Sequence, residues 1–89
     1  MTLSEFERQI KQKLLEEAAG PYGFRCQFRG VLYADKSGLC AIRTTIIGAG
    51  PNKQRARQDF VEKIRGKWAR VFDGLGAYQE FGVPRSLAP

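Results

Sequence analysis

The sequence predicts an α+β domain of the form α-β-β-(β)-α, a small antiparallel sheet with two helices packed on one face. Three observations carry this: an opening stretch with helical periodicity, a middle that alternates like strands, and a second helical stripe after a glycine-rich break. Eighty-nine residues make one domain, at the small end of what folds alone. With 43% apolar residues the chain can bury one modest core, which argues against global disorder. Residues 1–76 are expected as the compact unit and residues 77–89 as a C-terminal tail.

Residues 2–19 are predicted helical. Ser4-x-x-Glu7 fits a capping box, and Thr2-x-x-Glu5 offers the same box two residues earlier. Phe6, Ile10, Leu14 and Ala18 form an i, i+4 stripe, widened by Leu3 and Leu15. Arg8, Lys11 and Lys13 lie off it, interleaved with Gln9 and Gln12. Gly20-Pro21 is a helix stop signal. Residues 24–33 then alternate, with Phe24, Cys26 and Phe28 on one side and Arg25, Gln27 and Arg29 on the other. Arg29-Gly30 marks a bulge or a turn, so this is one long strand or two short ones. Asp35-Lys36-Ser37-Gly38 is a turn, and residues 39–47 are the next strand. The expected sheet has one apolar face and one carrying Arg25, Arg29 and Arg43.

The most informative stretch follows. A β-branched run (Ile42, Thr44, Thr45, Ile46, Ile47) breaks over Gly48-Ala49-Gly50-Pro51, where the glycines permit a positive φ and the proline removes a donor. Asn52 is a good N-cap, and Lys53, Arg55 and Arg57 open the helix behind it. Free N–H groups, a positive dipole and three cations make a place to hold an anion such as phosphate. The helix is expected to run over residues 53–72, with Ala56, Phe60, Ile64, Trp68 and Phe72 recurring every four residues beside Val61 and Val71. Lys63, Lys67 and Arg70 fall on one flank of that stripe, and Asp59 is placed to pair with Lys63. Gly66 weakens such a helix by about 1 kcal/mol relative to Ala. The tail, with Tyr78, Phe81 and Val83, is suited to add an edge strand, wrap the core or mediate self-association.

Charge and missing chemistry narrow the function. Fifteen Lys and Arg against nine Asp and Glu leave a net charge of +6, which favours nucleic acid, an anionic surface or an acidic protein. There is no histidine, and Cys26 and Cys40 lack C-x-x-C spacing, so neither a structural zinc nor any other cofactor is expected. Both cysteines are expected as small buried residues in a reducing compartment. No signal peptide or membrane span is visible, which suggests a cytoplasmic protein. General base work would fall to scattered carboxylates, a lysine or a thiolate, and no pair is placed for it. The Gly48-to-Lys53 stretch has a superficial likeness to a P-loop but lacks the Gly-Lys-Ser/Thr ending. A non-catalytic binding protein is the expectation.

The strand, glycine turn and capped basic helix start together resemble the second half of a double-stranded RNA-binding domain. That family ends its third strand in a G-x-G-like turn and caps the next helix with Ser-Lys-Lys-x-Ala-Lys. Gly48-Ala49-Gly50-Pro51 stands for the turn, Asn52 for the Ser, Lys53 for the first Lys, and Gln54 for the second. Ala56 matches the Ala, and Arg57 takes the following basic position. About a quarter of the chain carries the motif. The resemblance implies that Lys53, Arg55 and Arg57 bind phosphates across a groove, with Lys63, Lys67 and Arg70 extending the basic surface. It also makes Asp35-Lys36-Ser37-Gly38 the loop between the first two strands, with Lys36 as its cation, and gives the first helix a role in groove contact. Double-stranded RNA is the partner the resemblance favours; nothing in composition separates RNA from DNA. Gln54, the short Lys36 loop and the apolar tail support an alternative: a protein-interaction module, a phage-type inhibitor or adaptor or a self-associating protein, that keeps the fold without binding RNA. A third reading is an accessory subunit of a larger nucleoprotein machine, whose isolated domain binds only weakly.

Overall fold

The sheet is organised around β2 (Gly23–Tyr33), its longest strand, which pairs with three others. The computed structural model describes residues 1–9, 16–21, 23–72 and 76–88, without the side chains of Glu16, Arg29, Arg43 and Phe72. Around β2 stand α1 (Leu3–Gln9), β1 (Glu16–Gly20), β3 (Ala41–Gly50), α2 (Lys53–Ile64), β4 (Trp68–Phe72) and β5 (Tyr78–Gly82). One edge of β2 is taken by β3, from Phe24↔Gly50 to Tyr33↔Ala41. The opposite edge is shared, β1 pairing with its first half and β4 with its second, and β5 adds to β4. All these pairings are antiparallel. The register shift between Arg29 and Leu32 is the irregularity expected at Arg29-Gly30, and there β4 succeeds β1 as the neighbour.

The fold is α+β, and both helices bury their apolar sides in one core. Leu3 and Phe6 of α1 and Ala56, Phe60, Val61 and Ile64 of α2 join Cys26, Phe28 and Leu32 of β2, Ile46 of β3, and Ala69 and Val71 of β4. Phe60 meets Phe28 edge-on at 5.4 Å between ring centres, and Phe6 meets Phe81 of β5 at 5.2 Å. Burying one such aromatic contributes roughly 3 kcal/mol. The helix–sheet contact is unusually close over β3. A Cβ on Gly48 would lie 2.4 Å from the Phe60 amide nitrogen and from the Ala56 carbonyl oxygen, so only glycine admits the α2 backbone at that distance. Gly48 and Gly50 thus belong to the strand and serve close approach rather than a positive-φ turn, and Pro51-Asn52 alone connects β3 to α2.

Three expectations are corrected. The first helix is described over Leu3–Gln9 and does not reach Ala19; Ile10, Lys11, Gln12, Lys13, Leu14 and Leu15 lie outside the described residues. Glu16, Glu17, Ala18 and Ala19, good helix formers, pair instead with β2, because a helix propensity of a few tenths of a kcal/mol per residue yields to a full set of ladder hydrogen bonds. The second helix ends at Ile64, not at Phe72. Arg65 is extended and Gly66 takes φ +71°, a left-handed turn that the helical reading assigned no purpose. β4 then alternates, Ala69 and Val71 buried and Trp68 and Arg70 on the other side.

Residues 77–88 of the expected tail are part of this architecture rather than an appendage, Pro89 and residues 73–75 lying outside the described residues. They supply β5 as the edge strand and bury Val83 and Leu87 in the core. Thr2 bridges Ala88 in parallel, the Leu3 amide donating to the Ala88 carbonyl at 2.7 Å and the Ala88 amide to the Met1 carbonyl at 2.9 Å. Of the two capping boxes, the one at Thr2 forms: its hydroxyl accepts from the Glu5 amide, and the Glu5 carboxylate accepts from the Thr2 amide. Cys26 is buried as expected, whereas Cys40 stands exposed before β3.

Candidate nucleic-acid interface

The helix start expected to hold an anion is built as the sequence implies. Asn52 has extended backbone angles, its side-chain oxygen accepts from the Arg55 amide at 2.9 Å, and its carbonyl accepts from the Ala56 amide at 3.0 Å. The amides of Lys53 and Gln54 have no acceptor among the described residues, as the first turn of any helix leaves them. No acidic residue occupies that turn. Lys53 and Arg55 are exposed, and among the described residues neither has an ion-pair partner.

The remaining cations are distributed differently from the expected single basic flank. Arg57 reaches across to β1 and pairs with Glu17, so Lys53 and Arg57 line a concavity that Glu7 and Glu17 also line. Arg55 turns to the opposite flank of α2, beside Arg65, Asp59 and Glu62. Lys63 is committed to the fold: it pairs with Asp59 at 2.9 Å and donates to the Ile47 carbonyl at 2.7 Å, while Asp59 accepts from the Ala49 amide at 2.9 Å. These two side chains thereby cover the outer edge of β3, a strand edge otherwise free to pair with another chain. Lys67 lies in the turn after α2, where its carbonyl accepts from the Val83 amide. Lys63, Lys67 and Arg70 therefore share no helix flank, since the helix that would align them ends at Ile64.

Lys36 also moves in the scheme. Asp35-Lys36-Ser37-Gly38 lies between β2 and β3, whereas the connection from β1 to β2 falls between Gly20 and Gly23, with Pro21 in a turn and Tyr22 outside the described residues. The Asp35 carboxylate accepts from the Ser37 hydroxyl and amide, which holds its carboxyl below the usual range. Lys36 is thus the length of β2 away from Lys53, on the order of 30 Å. What it joins instead is an aromatic group that the sequence reading dispersed. Its ammonium lies 5.8 Å from the centre of the Trp68 ring. Arg70 is stacked between Tyr33 at 5.0 Å and Tyr78 at 4.7 Å, and its Nε donates to Glu80 at 2.7 Å. That hydrogen bond raises the Arg70 pKa above its already high ordinary value and fixes the guanidinium plane. The alternation of Trp68, Arg70 and Phe72 against Ala69 and Val71 was the signal for this grouping, but read at helical period it dispersed them.

Beside the helix start, the Cys26 thiol pKa is raised by burial and by the Glu17 carboxylate, with Arg57 opposing. Compared with known proteins, the chain matches no family model, no curated protein and no solved structure.

Proposed function

We propose that the protein is a non-catalytic nucleic-acid-binding module that takes hold of duplex phosphates, RNA by preference, at the start of α2. The observation supporting this is the Asn52-capped first turn, with two open amides, exposed Lys53 and Arg55, and no acidic residue in it. A phosphate oxygen there accepts from the amides while the two cations reach adjacent phosphates on either side of the helix axis. Arg57 adds to this grip only by leaving Glu17. The net charge of +6 supplies the long-range attraction.

The test is a titration of labelled double-stranded RNA, double-stranded DNA and single strands at low and near-physiological salt. Duplex RNA is expected to bind with a steep salt dependence. Lys53→Ala with Arg55→Ala should weaken binding and flatten the log–log salt slope by about two units, one per lost phosphate contact. An unchanged slope in the double variant would overturn the assignment to α2.

A second reading, a protein-interaction module, is favoured by one observation: two large apolar residues near in sequence are exposed, Leu39 just before β3 at 90% and Ile42 within it at 45%. It predicts a defined complex or dimer that survives moderate salt and is lost in Leu39→Ser with Ile42→Thr, measured by sedimentation.

A further inference from the structure

Both helices cover the same face of the sheet, and the opposite face holds the aromatic group. Across β2, β4 and β5, Tyr33 pairs in register with Trp68, and Arg70 with Glu80, so their side chains share this face. The β2–β3 loop leans over it: a Cβ on Gly38 would come 3.8 Å from the Arg70 guanidinium, and Lys36 lies over Trp68. Tyr33 is almost fully covered, at 8% exposure, while Tyr78 is 50% exposed and Trp68 half-buried. Arg70 lies against the rings of both Tyr33 and Tyr78, and this row of side chains ends at the half-exposed Tyr78.

We infer that this face is a stacking platform for unpaired nucleobases, so that the preferred ligand is a duplex with a single-stranded extension or loop. This rests on the nucleic-acid reading and names the class of ligand. Three features fit that occupant. Flat π-surfaces at Tyr78 and Trp68 stack any base without selecting one. Arg70, tied to Glu80, presents a fixed guanidinium plane, which itself stacks on bases. Two cations, Lys36 and Arg70, stand beside two carboxylates, Asp35 and Glu80; with Arg70 paired to Glu80, Lys36, which has no ion-pair partner among the described residues, is the group that meets a phosphate accompanying the bases. A base arriving on Trp68 displaces the Lys36 ammonium to a neighbouring phosphate.

Trp68 is the sole tryptophan, so its emission reports the platform directly. The probes are a blunt RNA duplex and the same duplex with a uridine extension of about 12 nucleotides, enough to span β2 at about 3.4 Å per nucleotide. Binding is followed by anisotropy of a label on the duplex. The extended RNA is expected to bind more tightly and to quench Trp68, and the blunt duplex to leave the emission unchanged. Tyr78→Ala should remove about tenfold of the gain from the extension and none of the blunt-duplex affinity, the converse of Lys53→Ala with Arg55→Ala. Because Trp68 contributes to packing against Gly82, Trp68→Phe, which keeps a ring, serves as a second variant that should retain the gain. Equal affinity for the two RNAs with unchanged emission overturns the platform and leaves the α2 phosphate site standing. No binding of either RNA overturns both.

Discussion

The two faces of the sheet are finished in opposite ways. Under the helices, backbone meets backbone: Gly48 admits α2 so closely that Phe60 and Ala56 touch the strand itself, and Asp59 and Lys63 close its outer edge. On the other face the largest side chains are separated by cations, and Tyr78 remains half-exposed. A surface that only had to be soluble would not collect Tyr33, Trp68 and Tyr78 in one patch, and a surface that only had to pack would not place Arg70 and Lys36 on them. The covered face carries most of the apolar packing, and the open face is the one we propose for binding. Substitutions should separate the two.

The largest loss is expected from Phe60→Ala, which leaves a cavity beneath β3 and should cost about 4 kcal/mol in denaturant unfolding. A cost under about 1 kcal/mol would mean that the covered face is loosely packed. Gly48→Ala should cost about 3 kcal/mol, because the added methyl has no volume to enter and must push α2 off the strand. Asn52→Ala removes the cap and should cost about 1 kcal/mol while also weakening duplex binding. On the open face, Glu80→Gln and Tyr78→Ala should each change stability by about 0.5 kcal/mol or less, since exposed pairs and rings contribute little to folding. A large loss there would erase the contrast between the faces.

The smallest effect is one of pH. The folded Cys26 thiol holds its proton more tightly than the unfolded one, so its contribution is complete below the ordinary value near 9.0 and declines as pH rises through the raised folded value. Stability measured from pH 8 to 10.5 should fall more steeply in the natural protein than in Cys26→Ala, a slope that buffer-matched denaturant titrations resolve.

Much of this was legible in the residues. The alternation of Phe24, Cys26 and Phe28, the turn at Asp35, the Asn52 cap and the Asp59–Lys63 pair all appear where local chemistry puts them. The misreadings have one physical origin. Where two periodicities fit the same residues, only the pairing partner decides, and partners are far away in sequence. Trp68 and Phe72 extend the spacing of Ala56, Phe60 and Ile64 without a break, yet β2 and β5 recruit them as a strand once Gly66 has turned the chain. Glu16 to Ala19 have every local reason to be helical and are strand only because β2 offers an edge. The helix-start cations were visible because capping is local. The aromatic group was not, because it unites residues from β2, β4, β5 and a loop.

The seam between Thr2 and Ala88 has a consequence for the order of folding. Leu3 and Phe6 share the core with Val83 and Leu87, and Phe6 meets Phe81, some eighty residues further along the chain. Closing that seam brings together the most distant contacts in the sequence, so α1 is expected to dock last, after β2, β3 and α2 have packed through nearer contacts.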